Sequence, residues 1–259
     1  MTASWLLDRV PPDSAVANAA RRTLMAARVP RLARRSDPAA GALARALRTT
    51  ALGRIPAEEG AWIERIERRR SRVDELALGI ATICPFWSVP RIWGILQLRL
   101  VRELAPRTCL ELGTGFGISA AYQAAALALN GAGRLLTLER EPRVVEIARE
   151  TVAELGLESR VEQRVGEIGE TLARVAPEIA PVDYAFVDAE HTERATVASF
   201  GELLPHASDG AVVVFDDISI NAEMRRAWDV VRRNERVALE LDLRRFGLVV
   251  IGARGAVGP

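Results

Sequence analysis

TCLELGTGFGIS, residues 108–119, opens as an apolar run from Cys109 to Leu112 with one acid, Glu111, and then breaks into glycines at alternate positions, Gly113, Gly115 and Gly117. An apolar, alanine-rich segment at helical spacing follows. The stretch reads as a strand, a tight turn and a helix start. Glycine serves where the backbone takes positive φ or where a ligand touches main chain without a Cβ, and the helix behind the turn offers free N–H groups. The turn is a candidate nucleotide cradle, although a glycine turn alone reads equally as a plain strand-to-helix connection.

The flanking sequence narrows this. After a helix over roughly 117–129, RLLTLE forms a second apolar strand ending on Glu139. An acid at that tip of a βαβ unit accepts hydrogen bonds from adenosine ribose hydroxyls. A nicotinamide dinucleotide and S-adenosylmethionine both use such an acid. The dinucleotide fingerprint is GxGxxG, whereas the spacing here is GxGxG with Glu111 two residues ahead. That combination resembles motif I of the class I S-adenosylmethionine-dependent methyltransferases. The resemblance implies cofactor contacts from Glu111, Gly113, Thr114, Gly115, Gly117, Ser119 and Glu139, with Asp188 also expected to touch the cofactor.

A chain of 259 residues fits one α/β domain plus an appendage. Two cysteines, Cys84 and Cys109, make neither a disulfide framework nor a CxxC zinc pattern, so a reducing, cytoplasmic setting is expected. No apolar run reaches membrane-spanning length, and Asp8 and Arg9 interrupt the N-terminal apolar residues too early for a secretory signal. Net charge is +1, but residues 1–54 hold ten Arg against three Asp. Such an arm could grip nucleic acid. The chain contains no Lys, and these arginines alternate with Ala and Leu as on solvated helix faces, which argues against that use.

Residues 1–56 are helix-prone but punctuated by Pro11, Pro12, Pro30, Pro38 and Pro56, so two or three short helices joined by kinks are expected. Pro56 to Ile80 then carries Trp62, Ile63, Ile66 and Val73 at helical spacing. This long amphipathic helix needs a partner for its stripe, which the catalytic domain, the preceding helices or a second subunit could supply, and a homodimer is expected. CPFWSVPRIWGILQLRL begins as a Pro-bounded aromatic loop with Phe86, Trp87 and Ser88, and becomes a helix near Pro90. The loop could close over the cofactor, with Ser88 reaching its methionine end. The expected division is a helical appendage over 1–89, as lid or dimerisation element, and a cofactor-binding domain over 90–259. From Thr108 onward, near-continuous apolar strands alternate with helices, which means a parallel sheet covered on both faces. The last two strands are joined too closely for a parallel crossover and must pair antiparallel. Seven strands with a terminal hairpin match the Rossmann-like α/β sheet of the class I methyltransferases, and the resemblance implies strand order 3-2-1-4-5-7-6.

Ligands of such sheets bind at the carboxyl ends of the strands. The third strand delivers Gly166 and Glu167, where an acid could accept from the adenine amino group; the fourth delivers Asp188 and His191; the fifth delivers Asp216 and Asp217. Converging carboxylates repel unless a positive charge lies between them, and a hard divalent cation such as Mg²⁺ is the natural candidate.

VDYAFVDAEH followed by GAVVVFDDI resembles the metal-dependent O-methyltransferases. The resemblance implies Mg²⁺ held by Asp188, Asp216 and Asp217, and His191 as base, as in the branch that includes macrolide-sugar O-methyltransferases; the catechol branch has Lys at the His191 position. Ala189, Ser219 and Ile220 depart from that pattern, so the substrate wall is expected to differ. The leading expectation is an O-methyltransferase acting on a small hydroxylated molecule, in natural-product tailoring. The alternatives are an RNA methyltransferase gripping through the Arg-rich arm, or a non-catalytic S-adenosylmethionine-binding assembly protein. No NPPY-like tetrapeptide follows the fourth strand, which argues against an adenine target.

Overall fold

In a computed structural model, which describes residues 14–80 and 88–253, the carboxyl-terminal part is a seven-stranded sheet with helices on both faces. Its strands are β1 (Thr108–Leu112), β2 (Arg134–Glu139), β3 (Val161–Val165), β4 (Val182–Val187), β5 (Ala207–Phe215), β6 (Val237–Asp242) and β7 (Gly247–Ile251). The order is β3-β2-β1-β4-β5-β7-β6. Strands β1 to β5 pair parallel, and β7 runs antiparallel to both β5 and β6, as the short last connection requires. Phe215 pairs with Gly247, so the β6–β7 turn lies at the carboxyl end of β5. Cys84, Phe86, Trp87, Pro11 and Pro12 lie outside the described residues.

Side-chain alternation on the strands divides the core. Leu110, Leu112, Ala185, Val187, Val213 and Phe215 face α7 (Ile168–Ile179), α8 (Glu193–Leu203) and α9 (Ala222–Val231). Cys109, Tyr184, Phe186, Val212 and Val214 face the other layer, with α5 (Ile118–Asn130) and α4 (Arg91–Leu104). That layer also takes in α1 (Ala15–Ala33) and α2 (Pro38–Leu52), whose Met25, Leu32, Leu43 and Leu47 share one core with Leu239, Leu241 and Phe246 of the terminal hairpin. The segment expected to be an appendage is therefore packed onto the sheet. Arg28 donates to the Asp242 carbonyl at 3.2 Å, Arg35 to that of Ala238 at 3.3 Å, and Arg45 pairs with Glu103 at 2.6 Å. These arginines of the basic arm bind the chain itself.

Helix α1 runs through Pro30 to Ala33 without ending there; proline removes one backbone donor, and the turn beyond it is the helix's last. Helix α3 (Ala57–Ile80) lies across α6 (Pro142–Leu155). Buried Arg69 reaches Thr151 at 3.1 Å and Glu154 at 3.1 Å, and Val73 packs on Phe116 of the glycine turn and Val144. Ile63 and Ile66 are buried in the main core. Ile63, Ile66 and Val73 of this stripe are thus covered within the chain.

Candidate active site

Gly113, Gly115 and Gly117 all take positive φ, at 92°, 50° and 81°. Gly113 also has no room: a Cβ there would lie 2.0 Å from the carbonyl oxygen of Asp188. Gly117 is the N-cap of α5 and brings no side chain to it, so the first N–H groups of the helix are left for a ligand. Glu139 faces this cradle. Its Oε2 accepts from Gly115 N at 3.1 Å, and its Oε1 from Arg140 N at 2.9 Å and Glu141 N at 3.1 Å.

Glu111 is placed differently from the sequence expectation. It is fully buried behind the turn, where Gln123 donates to Oε1 at 2.7 Å and Thr137 to Oε2 at 2.6 Å. Thr137 also meets Thr114 at 2.6 Å, and Ser119 hydrogen-bonds the same carboxyl. Glu111, Thr114 and Ser119 thus form a buried network that fixes the turn from behind. Burial pushes the Glu111 carboxyl up to about 8, against the pull of these hydrogen bonds. Gly166 N donates to the Glu139 carbonyl at 2.9 Å, and Glu167 is exposed at the start of α7 without capping it. Ser88 is half-buried just ahead of α4.

Asp188, His191, Asp216 and Asp217 lie together at the carboxyl ends of β4 and β5. His191 Nε2 lies 3.2 Å from Asp188 Oδ1 and 3.7 Å from Asp217 Oδ2; that nitrogen is buried between the two carboxylates, while the side chain as a whole is 34% exposed. Thr192, not His191, caps α8, accepting from Ala195 N, which leaves the imidazole free of that duty. Pairing with Asp188 raises the His191 pKa; burial opposes, and the charges of Asp188, Asp217 and Asp216 add to the rise. Glu190, His191, Asp217 and Arg244 are non-glycine residues with φ of 62°, 39°, 51° and 73°. Such strain persists where surrounding structure enforces it, and here it gathers at one end of β4, β5 and the β6–β7 turn.

Arg245, in that turn, has no counterpart in the sequence reading. Its Nε and Nη2 meet Asp216 Oδ1 and Oδ2 at 2.7 and 2.6 Å, and Nη1 stands 3.5 Å from Asp217 Oδ1. Burial raises the Asp216 carboxyl to about 7, against the pull of Arg245. Burial also pulls the guanidinium down, but the charges of Asp216 and Asp217 outweigh this and hold it above its ordinary value. A guanidinium does not surrender its proton, and the fork geometry is that of a charge-assisted pair, so Asp216 is held as an anion.

Residues 110–218 match the model of a methyltransferase-domain family. Over 165 residues the chain is 32% identical to a catechol O-methyltransferase of Niastella koreensis, covering 62% of this chain and 68% of that one. The chain belongs to the class I S-adenosylmethionine-dependent O-methyltransferases. A second relative, a catechol O-methyltransferase of Mycobacterium tuberculosis, is 32% identical over 143 residues, covering 55% of this chain and 62% of that one. The O-methyltransferase TomG from Streptomyces achromogenes, solved with S-adenosylmethionine, is 27% identical with a TM-score of 0.58 over 74% of this chain and 90% of that one. An O-methyltransferase from Bacillus cereus, 24% identical, shares the fold with a TM-score of 0.59 over 73% of this chain and 91% of that one.

The methyltransferase's glycine cradle fits the cofactor: positive-φ turn, uncapped helix N-terminus and Glu139 lie together. The divalent cation expected at Asp188, Asp216 and Asp217 does not fit. Both oxygens of Asp216 lie in the Arg245 fork, and Oδ1 also accepts from Asp217 N at 2.6 Å. Among the described residues no three His, Cys, Asp or Glu side chains are grouped to hold a metal. The sequence carried one signal of Arg245. LRRFG joins two strands that must pair antiparallel, and the implied order puts their turn beside the end of β5.

Proposed function

We propose that this methyltransferase methylates a hydroxyl of a small molecule, with His191 accepting the hydroxyl proton. The observation that supports the reading is the junction of the two half-sites: the Asp188 carbonyl lies against Gly113 of the cradle, and His191 stands three residues on, at the same edge. The bound cofactor supplies a methyl group on a sulfonium, open to in-line displacement. Asp188 and Asp217 flank the imidazole and orient it, and their charge favours the imidazolium formed when it takes the proton. Glu139 and the α5 N-terminus anchor the nucleoside, so the donor is held in place while the acceptor hydroxyl is positioned.

The relatives' names support aromatic diols as first acceptors, and the TomG likeness supports natural-product tailoring. The test is methyl transfer from S-adenosylmethionine to a panel of catechols and hydroxylated natural products. Product from wild type, and a His191→Gln variant that binds S-adenosylhomocysteine but turns over about 10²-fold slower or worse, is the expected result. Full turnover in the variant would remove His191 as base.

A further inference from the structure

Three carboxylates at one strand edge require compensating charge, and the protein supplies it from its own side chains. Five of the six oxygens of Asp188, Asp216 and Asp217 face a protein cation or imidazole: both of Asp216 and Oδ1 of Asp217 face Arg245, while Oδ2 of Asp217 and Oδ1 of Asp188 face His191. Mg²⁺ draws its oxygens in to about 2.0–2.1 Å in an octahedron, and oxygens committed to a guanidinium fork cannot turn to it without breaking the fork.

The fork is also built to stay. Arg245 O accepts from Ile218 N at 3.0 Å, and Ser219 Oγ donates to Arg244 O at 2.7 Å, so the β6–β7 turn is tied to the loop that carries Asp216 and Asp217. The next residue, Phe246, is fully buried, its ring 4.7 Å from that of Trp93 and 5.6 Å from that of Phe186. Gly247 lies against Trp228 so closely that a Cβ would come within 2.6 Å of the indole. The guanidinium is therefore held from both sides of its own backbone.

We propose that Arg245 stands in for the divalent cation of metal-dependent O-methyltransferases, acting as a positioning residue that locks Asp216 and Asp217 and makes this chain's methyl transfer independent of metal. The inference rests on the O-methyltransferase reading but is tested apart from turnover. Chelator-stripped protein, alone and with S-adenosylhomocysteine, is titrated with Mn²⁺ by calorimetry, and its thermal midpoint is read in Mg²⁺ and in chelator. Wild type is expected to show no saturable Mn²⁺ site and the same midpoint in both. Arg245→Gln, which uncovers the carboxylates, is expected to gain one Mn²⁺ site and a midpoint that Mn²⁺ raises.

One Mn²⁺ per wild-type chain, lost in Asp216→Asn, would overturn the proposal. So would a folded Arg245→Gln protein that gains no site. Should that variant fail to fold, Arg245→Lys keeps the charge without the fork, and the wild-type titration still decides. A missing response to S-adenosylhomocysteine would count against the cofactor reading alone, because the Mn²⁺ titration is read without it.

Discussion

Gly113 touches Asp188: the Cβ of any other residue at 113 would sit 2.0 Å from the Asp188 carbonyl oxygen. This contact joins the cofactor cradle to the loop that carries His191. Gly113→Ala must therefore move backbone, and it adds the cost of a φ of 92° for a residue with a Cβ. A loss of roughly 2–4 kcal/mol is expected, as for other strained or overpacked sites. At about 2–4 °C per kcal/mol for a chain of this size the midpoint should fall by roughly 5–15 °C. S-adenosylhomocysteine binding should fall with it; an unchanged midpoint and affinity would mean the two loops are not in contact.

Glu139 binds three backbone N–H groups and still has lone-pair capacity on Oε2, which has a single donor. Glu139→Ala removes a charged acceptor from the nucleoside side of the cradle. Hydrogen bonds to charged groups contribute roughly 1.5–3 kcal/mol, so the dissociation constant for S-adenosylhomocysteine should rise by about 10- to 150-fold in calorimetry. A change of less than twofold would move the ribose away from Glu139.

Glu111 makes stability depend on pH. Burial raises its folded pKa from 4.5 to about 8. The folded chain therefore keeps a proton that the unfolded chain releases at lower pH. Stability is greatest below the unfolded value and falls between about pH 4.5 and 8, with a slope of up to about 1.4 kcal/mol per pH unit from this group. Gln123 turned half about its amide would present Oε1, which has no partner now, to the protonated acid. Glu111→Gln removes the proton's release, so its urea midpoint should gain on wild type as pH rises from 5 to 8 and level off above. An equal gap at pH 5.5 and 8.5 would show that Glu111 does not change charge across that range.

The sheet was readable because each strand is a short apolar run bounded by a turn, and a parallel core imposes that pattern directly; even the antiparallel end followed from the length of one connection. The cradle and the Asp188–His191–Asp217 cluster were readable because topology alone brings strand ends together. The partners of those residues were not. Thr137 and Gln123 hold Glu111 from a neighbouring strand and helix, and nothing in their local sequence distinguishes them from other core residues. Arg245 reaches Asp216 from 29 residues away. The need for a positive charge was legible in the carboxylates, and LRRFG put arginines in a turn beside the end of β5, but which of them reaches Asp216 depends on which way the hairpin tip turns. The packing of Val73 of α3 on α6 and the glycine turn was hidden for the same reason: amphipathicity shows that a face will be buried, not by what.

His191 sets the final expectation. Asp188 beside it, with Asp217 and Asp216 behind, raises its pKa above the ordinary 6.5, while burial opposes. A base acts in its neutral form, so kcat/KM should climb with pH through a limb above that value and level off once the imidazole has lost its proton. Asp188→Asn removes the nearest negative charge and should shift the limb to lower pH, while lowering the plateau because the imidazole is less well oriented. S-adenosylhomocysteine affinity should stay level along the same pH series, which separates titration of the base from damage to the cradle. A limb that keeps its position in Asp188→Asn would show that the titrating group is not His191, and a flat profile from pH 6 to 9 would remove general-base catalysis by this imidazole.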